Sequence, residues 1–172
     1  MRPAWLVANN PEVSTELNMP RSKKITKLNS LPDPVYGSFL VAKLINKTMR
    51  DGKKSAAANQ IYKALSGFKE PEKTLDQVVS LIAPKMEVRP RRVGGASYQV
   101  PTEVKGDRKT HLAMRWLIDA ARSRSNKEFH TFAEKLTAEM NDVLAGQGNA
   151  LKKRDMVQKM AEANKVFAHL RW

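Results

Sequence analysis

The side chains able to do acid–base, nucleophilic or metal chemistry are few in this sequence and lie far apart. His111, His130 and His169 fall on three different predicted helices, and no two of them have the i, i+4 spacing of a helical metal pair. The sequence has no cysteine, which excludes disulfides and thiolate metal ligands and is typical of a reducing compartment. Ser97 follows a glycine pair but lacks the pattern of a nucleophile elbow. These residues predict neither a nucleophilic nor a metal centre.

A carboxylate pair is the remaining catalytic arrangement. Glu87 and Glu103 fall on two neighbouring predicted strands, and we expect them to approach each other on the solvated face. Nothing on a solvated face raises a carboxyl pKa, so a charge-balancing role among arginines is the simpler interpretation. An enzyme that processes nucleic acid is therefore disfavoured, because perturbed catalytic groups need burial.

Two basic, glycine-containing stretches are candidates for phosphate binding. RRVGGAS (91–97) has its glycines between two predicted strands and lacks the helix and Lys-Ser/Thr of a phosphate loop. RDGKKSAAA (50–58) places Lys53 and Lys54 at the start of a helix, although a helix rather than a strand precedes it. A helix N-terminus with two lysines can bind a backbone phosphate. The alternative is an ordinary helix–helix turn with exposed lysines, and the overall charge favours the phosphate contact.

The charge balance indicates a polyanionic partner. Among 172 residues, 31 are Lys or Arg and 17 are Asp or Glu, which gives a net charge of +14. Nucleic acid is the first choice; an anionic membrane is second, because the bases are spread over the chain rather than concentrated on one amphipathic helix. Aromatic residues make up only 6%, so we expect recognition through phosphates and shape rather than base stacking. No apolar run reaches membrane-spanning length and no targeting signal opens the chain, so we expect a soluble intracellular protein.

Hydrophobic periodicity predicts the elements that position these residues: six helices and one β-hairpin, a mostly α fold. We expect Asp33 with Pro34, Ser55, Thr74 with Gln77, and Ser125 with Glu128 to begin four of the helices. The sixth helix is expected to bury a stripe of Met156, Met160, Ala163, Phe167 and Leu170.

Alternation of period two predicts the hairpin at about 86–104, between the third and fourth helices. Pro90 and Pro101 favour an isolated ribbon, because proline is tolerated only on edge strands. A three-residue loop at 93–95 would pair Val88 with Val100 and leave Arg89 and Arg91 on the solvated face with Gln99 and Glu103. A two-residue turn at Gly94-Gly95 would instead break the apolar face, so the three-residue loop is the prediction.

Five motifs carry a resemblance to a known family. The sequence contains, in this order, PDPVYGS, MRDGKKSAA, RRVGGASYQVPTEV, LAMRWLIDAAR and KKRDMVQKMAEANKVFAHLRW. In this order and spacing they resemble small-subunit ribosomal protein seven of the bacterial and organellar type, from about Met19 to Trp172. The resemblance implies a structural, non-enzymatic protein that needs no cofactor. It also implies binding to the 3′ major domain of small-subunit ribosomal RNA, nucleation of head assembly, and a place at the exit site for transfer RNA near the messenger RNA path.

The resemblance also assigns residues. It implies that the last helix and the hairpin tip contact transfer RNA through Gly94, Gly95, Lys152, Lys153 and Arg154. Ribosomal RNA would be held by Arg21, Lys23, Lys24, Lys53, Lys54, Arg91, Arg92, Arg108, Lys109, Arg115 and Arg122. Neighbouring small-subunit proteins nine and eleven are the implied protein partners, and a cytoplasmic or organellar ribosome is the implied location.

The chain divides into three expected segments. Residues 1–18 form a leader without a counterpart in the family, so translation starts either at Met1 or at Met19; 19–32 form a basic arm; and 33–172 form one helical domain. Residues 66–84 are shorter than is usual in the family, and KGDRK (105–109) carries an acid where the family is more basic. A DNA-binding architectural protein is the rival class, but no exposed apolar wedge is evident.

Overall fold

A computed structural model describes residues 31–170, in which six α-helices are interrupted by one antiparallel β-hairpin. The prediction of a mostly α protein with the hairpin between the third and fourth helices is confirmed. A short 3-10 helix, Lys165–Leu170, follows the last α-helix. The elements are α1 Phe39–Thr48, α2 Lys54–Leu65, α3 Pro71–Ile82, β1 Met86–Val93, β2 Ala96–Glu103, α4 Asp107–Ser123, α5 Phe132–Leu144 and α6 Asn149–Ala163.

The core lies between the six helices, with α4 packed against α1, α3, α5 and α6, and α6 contributes Ala150 and Leu151. The apolar faces of α1 to α5 point into it: Leu44, Ile61, Leu75, Leu117 and Leu136 are fully buried. Complete burial of such side chains stabilises the fold by about 1.5–3 kcal/mol each. The side of α4 that faces away from this core is left to carry charge.

The stripe predicted for α6 is wrong. Met156 and Met160 are 52% and 44% exposed, whereas Ala150 and Ala161 are buried. The residues that α6 buries therefore form a different stripe, which has the same helical spacing as the predicted one but lies on another side of the helix from the methionines. The helix also ends at Ala163, so the residues beyond it follow the period of a 3-10 helix.

The predicted helix starts are displaced. Asp33 caps a turn that precedes α1, because its Oδ2 accepts hydrogen bonds from the backbone N–H groups of Val35 and Tyr36, both at 3.1 Å. Its Oδ1 accepts from the Tyr62 hydroxyl at 2.7 Å, which ties this turn to α2. The helix itself begins six residues after Asp33, at Phe39, so Pro34 is not its first residue.

Three further starts differ from the prediction. The second helix begins at Lys54 rather than after Ser55. The third begins at Pro71, whose fixed φ suits the first helical position, so Thr74 lies inside it and donates to the Glu70 carbonyl. The capping box of α5 is Thr131 with Glu134, six residues beyond the predicted Ser125.

The predicted loop of the hairpin is one residue too long, and the predicted strand register is therefore wrong. Gly94 and Gly95 both have positive φ, +57° and +89°, and form the two-residue turn that was rejected above. Arg89 therefore faces Val100 and Arg91 faces Tyr98 across the ribbon, rather than sharing a solvated face with Gln99 and Glu103. Two adjacent glycines supply the left-handed backbone of a type I′ turn at low cost, and this preference outweighs the broken apolar face.

The C-terminal segment braces this hairpin. The Tyr98 and Phe167 rings pack at 5.2 Å between centroids, which joins β2 to the 3-10 helix, and α6 packs along β1. An isolated two-stranded ribbon is marginal in water, so these contacts stabilise the hairpin. The turn at Gly94 and Gly95 remains exposed.

Candidate nucleic-acid interface

One side of the domain concentrates positive charge where α1 and α4 lie next to each other. Arg108, His111, Arg115 and Arg122 follow one another on α4 at spacings of three, four and seven residues, which place them on one helix face. The adjacent α1 adds lysines on its outward side. We call this surface the basic face, and it consists of Lys43, Lys47, Arg50, Arg108, His111, Arg115 and Arg122.

A buried carboxylate joins the hairpin to the basic face. Glu87, 6% exposed on β1, pairs with Arg89 on its own strand and with Arg108 at the start of α4, where Nη2 lies 2.7 Å from Oε2. Burial acts to raise the pKa of Glu87, but the hydrogen bonds from Arg108 and Arg89 prevail and hold it below its ordinary value. The expectation that Glu87 meets Glu103 on a solvated face is therefore wrong, whereas its charge-balancing role among arginines is confirmed.

In the middle of the basic face a lysine contacts a histidine. The Nζ of Lys47 on α1 lies 2.6 Å from Nε2 of His111 on α4. Burial, Lys47, Arg108 and Arg115 together lower the pKa of His111, and burial followed by Arg115 lowers the pKa of Lys47. Both groups are therefore partly desolvated and lie close to other cations, although Asp119 acts to raise the pKa of Lys47.

A cavity of about 260 Å³ opens beside this pair, between α1 and the C-terminal half of α4. Its lining includes Lys47, Arg115, Asp119 and Arg122. Arg115 forms a loose ion pair with Asp119 at 3.7 Å on the same helix. The Arg122 guanidinium donates to the carbonyl oxygen of Thr48 at 2.9 Å, and burial and then Arg50 lower its pKa. An anion entering this cavity would meet three cationic side chains.

The structure brings three of the six predicted RNA-binding residues of the hairpin and α4 onto the basic face. Arg108, Arg115 and Arg122 belong to the basic face; Lys109 beside them is half-buried. Arg91 is half-buried on the hairpin face of Tyr98, and Arg92 is exposed on the opposite face.

The other predicted residues are dispersed. Lys53 and Lys54 are exposed where α2 begins, after the turn that follows α1, and Gly94 and Gly95 form the hairpin tip. The predicted contacts of the basic arm, Arg21, Lys23 and Lys24, lie outside the described residues, as does the leader.

The three basic residues of α6 differ in their surroundings. Lys152 and Lys153 are exposed, but Arg154 is half-buried and donates from Nη1 to the Leu81 carbonyl at 2.6 Å. Its Nη2 also lies 2.6 Å from a carboxylate oxygen of Asp155. Arg154 therefore connects α6 to the end of α3, a structural role that sequence reasoning did not anticipate.

Sequence reasoning missed Lys43, Lys47, Arg50 and His111. The i, i+4 spacing of Lys43 and Lys47 indicates that they share a helix side, but only the packing of α1 on α4 shows which helix they face. Lys43 bridges to Asp107 at 3.1 Å, which fixes the two helices at the hairpin end of the basic face.

Within residues 31–170, no group of three or more His, Asp or Glu side chains converges to hold a metal ion. In the same range, no helix is both long and apolar enough to cross a membrane. A helical domain with an extended cationic surface and a projecting hairpin defines the class: a nucleic-acid-binding structural protein.

Comparison with known proteins identifies the family. The family described as "Ribosomal protein S7p/S5e" matches residues 20–165. The small ribosomal subunit protein uS7 of Carboxydothermus hydrogenoformans is 49% identical over 159 residues, which cover 90% of this chain and all of the relative. The uS7 proteins of Sulfurihydrogenibium sp. and Alkalilimnicola ehrlichii are each 48% identical over the same length and coverage. The chain belongs to the uS7 family, and is a non-enzymatic, RNA-binding structural constituent of the small ribosomal subunit.

Proposed function

We propose that the basic face and the hairpin together bind the 3′ major domain of small-subunit ribosomal RNA and so nucleate assembly of the subunit head. The observation that carries this proposal is the Glu87 clamp. It holds Arg89 of β1 and Arg108 of α4 on one buried carboxylate, so one cation of the hairpin and the first cation of the α4 face have a fixed relative position.

The surface is suited to phosphate groups rather than to bases. Its contact groups are guanidinium and ammonium ions, which bind backbone oxygens without reading sequence. Specificity then comes from the shape of the RNA, because a rigid array of cations fits only a backbone that brings its phosphates to the same positions. Lys53, Lys54, Arg91, Arg92 and Lys109 are proposed to extend this array, and Arg21, Lys23 and Lys24 of the basic arm are proposed to add contacts.

The tip of the hairpin, at the Gly94-Gly95 turn, is proposed to face transfer RNA in the exit site, near the path of messenger RNA. The glycine turn presents backbone with no side chain, and the exposed Lys152 and Lys153 supply charge on α6. Arg154 enters this proposal only as the residue that orients α6. Small-subunit proteins nine and eleven are the proposed protein neighbours, and the proposed location is the cytoplasmic or organellar ribosome.

A competition assay at physiological salt tests the ribosomal RNA proposal. Labelled 3′ major domain RNA of a bacterial small subunit is displaced by itself, by an unrelated folded RNA and by a DNA duplex of equal length. We expect the cognate fragment to compete better by a factor of at least about a thousand, the range of specific over non-specific nucleic-acid binding. Equal competition by all three would refute the proposal, because net charge alone would then explain binding.

A matched pair of variants locates the surface. Arg91→Ala with Arg92→Ala should weaken binding and lower the salt dependence, since each phosphate contact adds about 0.7–0.9 to the slope of log K against log salt. The control variant Lys63→Ala with Lys127→Ala removes the same charge from two exposed positions: Lys63 near the end of α2 and Lys127 shortly before α5. Equal losses from both pairs would show that the hairpin has no special part in binding.

A further inference from the structure

The contact between Lys47 and His111 has a consequence for RNA binding. The Nζ of Lys47 lies 2.6 Å from Nε2 and 3.3 Å from Nδ1 of His111, so the ammonium is in close contact with the ring and this contact favours a neutral imidazole. Two positive charges at that separation would repel each other. The free protein is therefore built around a neutral His111 beside a charged Lys47.

The carboxylates near this pair are already engaged with other cations. Asp107 bridges to Lys43, Asp119 to Arg115, and Glu87 to Arg108 and Arg89. The charged groups that act on His111 are three cations, Lys47 of α1 and Arg108 and Arg115 of α4. Lys43 and Arg50 flank Lys47 in the sequence, and Asp107, Asp119 and Glu87 are engaged as described. The imidazole therefore has little reason to accept a proton until an external anion arrives.

We propose that the cavity between α1 and α4, which is lined by Lys47, Arg115, Asp119 and Arg122, is a proton-linked phosphate subsite. His111 contacts Lys47 beside this cavity and takes up a proton when a phosphodiester of the bound RNA enters. This inference rests on the function proposed above. The phosphate oxygens accept hydrogen bonds from Lys47, Arg115 and Arg122 and provide the negative charge that the protonated imidazole requires. Lys47 turns from the histidine to the phosphate, and both ring nitrogens of His111 then become donors.

The sign of the pH dependence follows from linkage. The complex has a higher His111 pKa than the free protein, whose His111 pKa lies below the ordinary 6.5. Between these two values the complex binds more protons, so affinity rises as pH falls. Below the His111 pKa of the free protein, His111 is protonated in both the free protein and the complex. Above its pKa in the complex, it is neutral in both, so affinity does not depend on pH through His111 at either end of the range. One proton taken up corresponds to a limit of about tenfold in affinity per pH unit.

Binding of the 3′ major domain RNA fragment from about pH 5.5 to pH 8.5 tests the proposal, since this range brackets histidine titration. Three full-length proteins are compared at constant salt: wild type, His111→Gln and the control His130→Gln, whose histidine precedes α5 and is exposed. We expect wild type and His130→Gln to lose at least about threefold in affinity between pH 6 and pH 8, and His111→Gln to lose much less. Calorimetry in buffers of different ionisation enthalpy should show proton uptake that His111→Gln abolishes.

The possible failures are distinguishable. If wild-type protein shows no preference for the cognate RNA at any pH, the proposed function fails. If cognate binding is strong but His111→Gln keeps the wild-type pH dependence and proton uptake, the subsite proposal fails and the proposed function stands. A measurement on free protein checks the geometry: Lys47→Met should raise the His111 pKa followed by NMR, and an unchanged pKa would overturn the neutral-imidazole contact.

Discussion

Replacing Glu87 by Gln should loosen the hairpin from α4. The side chain keeps its size and one acceptor, but two guanidinium groups lose their carboxylate. Breaking a fully buried ion pair costs about 3–5 kcal/mol, whereas exposed pairs contribute less than about 1 kcal/mol. The Arg89 and Arg108 side chains are 46% and 49% exposed and regain water in the variant, while Glu87 itself is buried. We therefore expect a loss of about 1–2 kcal/mol in the free energy of unfolding.

Urea denaturation at pH 7 measures this loss, with Glu103→Gln as the control. Glu103 lies on the neighbouring strand with an exposed side chain, 3.8 Å from Lys105. The control should change stability by no more than about 0.5 kcal/mol. Amide hydrogen exchange should show the loss concentrated in β1 and β2, because the clamp joins these strands to the bundle.

The pH dependence provides a second check on the same reasoning. The pKa of Glu87 in the folded protein lies below 4.5, its ordinary value. Its stabilising contribution is therefore fully present above 4.5 and is lost as pH falls through the folded-state pKa. The gap between wild type and Glu87→Gln should narrow in acid. A gap below about 0.3 kcal/mol at pH 7, or one that stays constant down to the acid transition, would refute the argument.

Two other buried polar contacts carry predictions. Glu139, fully buried on α5, accepts from Arg124 at 2.6 Å and from the Ala150 amide at 3.0 Å, so Glu139→Ala should lower the free energy of unfolding by about 3–5 kcal/mol. A urea midpoint near that of wild type would contradict it. The hydrogen bond to Asp33 raises the pKa of Tyr62 to about 12, and Asp33→Asn should return it toward 10. Absorbance titration of the phenolate measures both values, and identical curves would exclude the contact.

Local sequence signals predicted the elements well wherever one signal acted alone. The buried stripes of α1 to α5 are unambiguous, and the fold class follows from them. Two of the errors, in the hairpin and in α6, arose where two signals competed. At Gly94-Gly95 the preference of two glycines for a two-residue turn opposed the apolar alternation of the strands, and the turn preference prevailed. The interrupted apolar face is tolerated because Tyr98 packs against Phe167 of the 3-10 helix and Glu87 pairs with Arg89 on that face. In α6 two stripes of equal spacing competed, and the choice depended on neighbouring elements that lie far away in the sequence.

The same limit explains which parts of the basic face could be predicted. Arg115 and Arg122 share a face by spacing alone, so their proximity followed from the sequence. The approach of Lys47 to His111 depends on the packing of α1 against α4 across 64 residues of chain, and no local pattern encodes it.

The positive charge of the basic face affects the stability of the folded protein. Adjacent cations that outnumber nearby acids repel one another, and this repulsion adds to burial, the larger cause, in lowering the pKa values of Lys47, His111 and Arg122. Folding alone would favour their replacement by neutral side chains, because self-repulsion destabilises the compact state. The cost is offset when a polyanion binds, since a ligand that binds only the folded state stabilises it by mass action. If the basic face binds ribosomal RNA as proposed, it is adapted to the assembled ribosomal subunit rather than to the isolated chain.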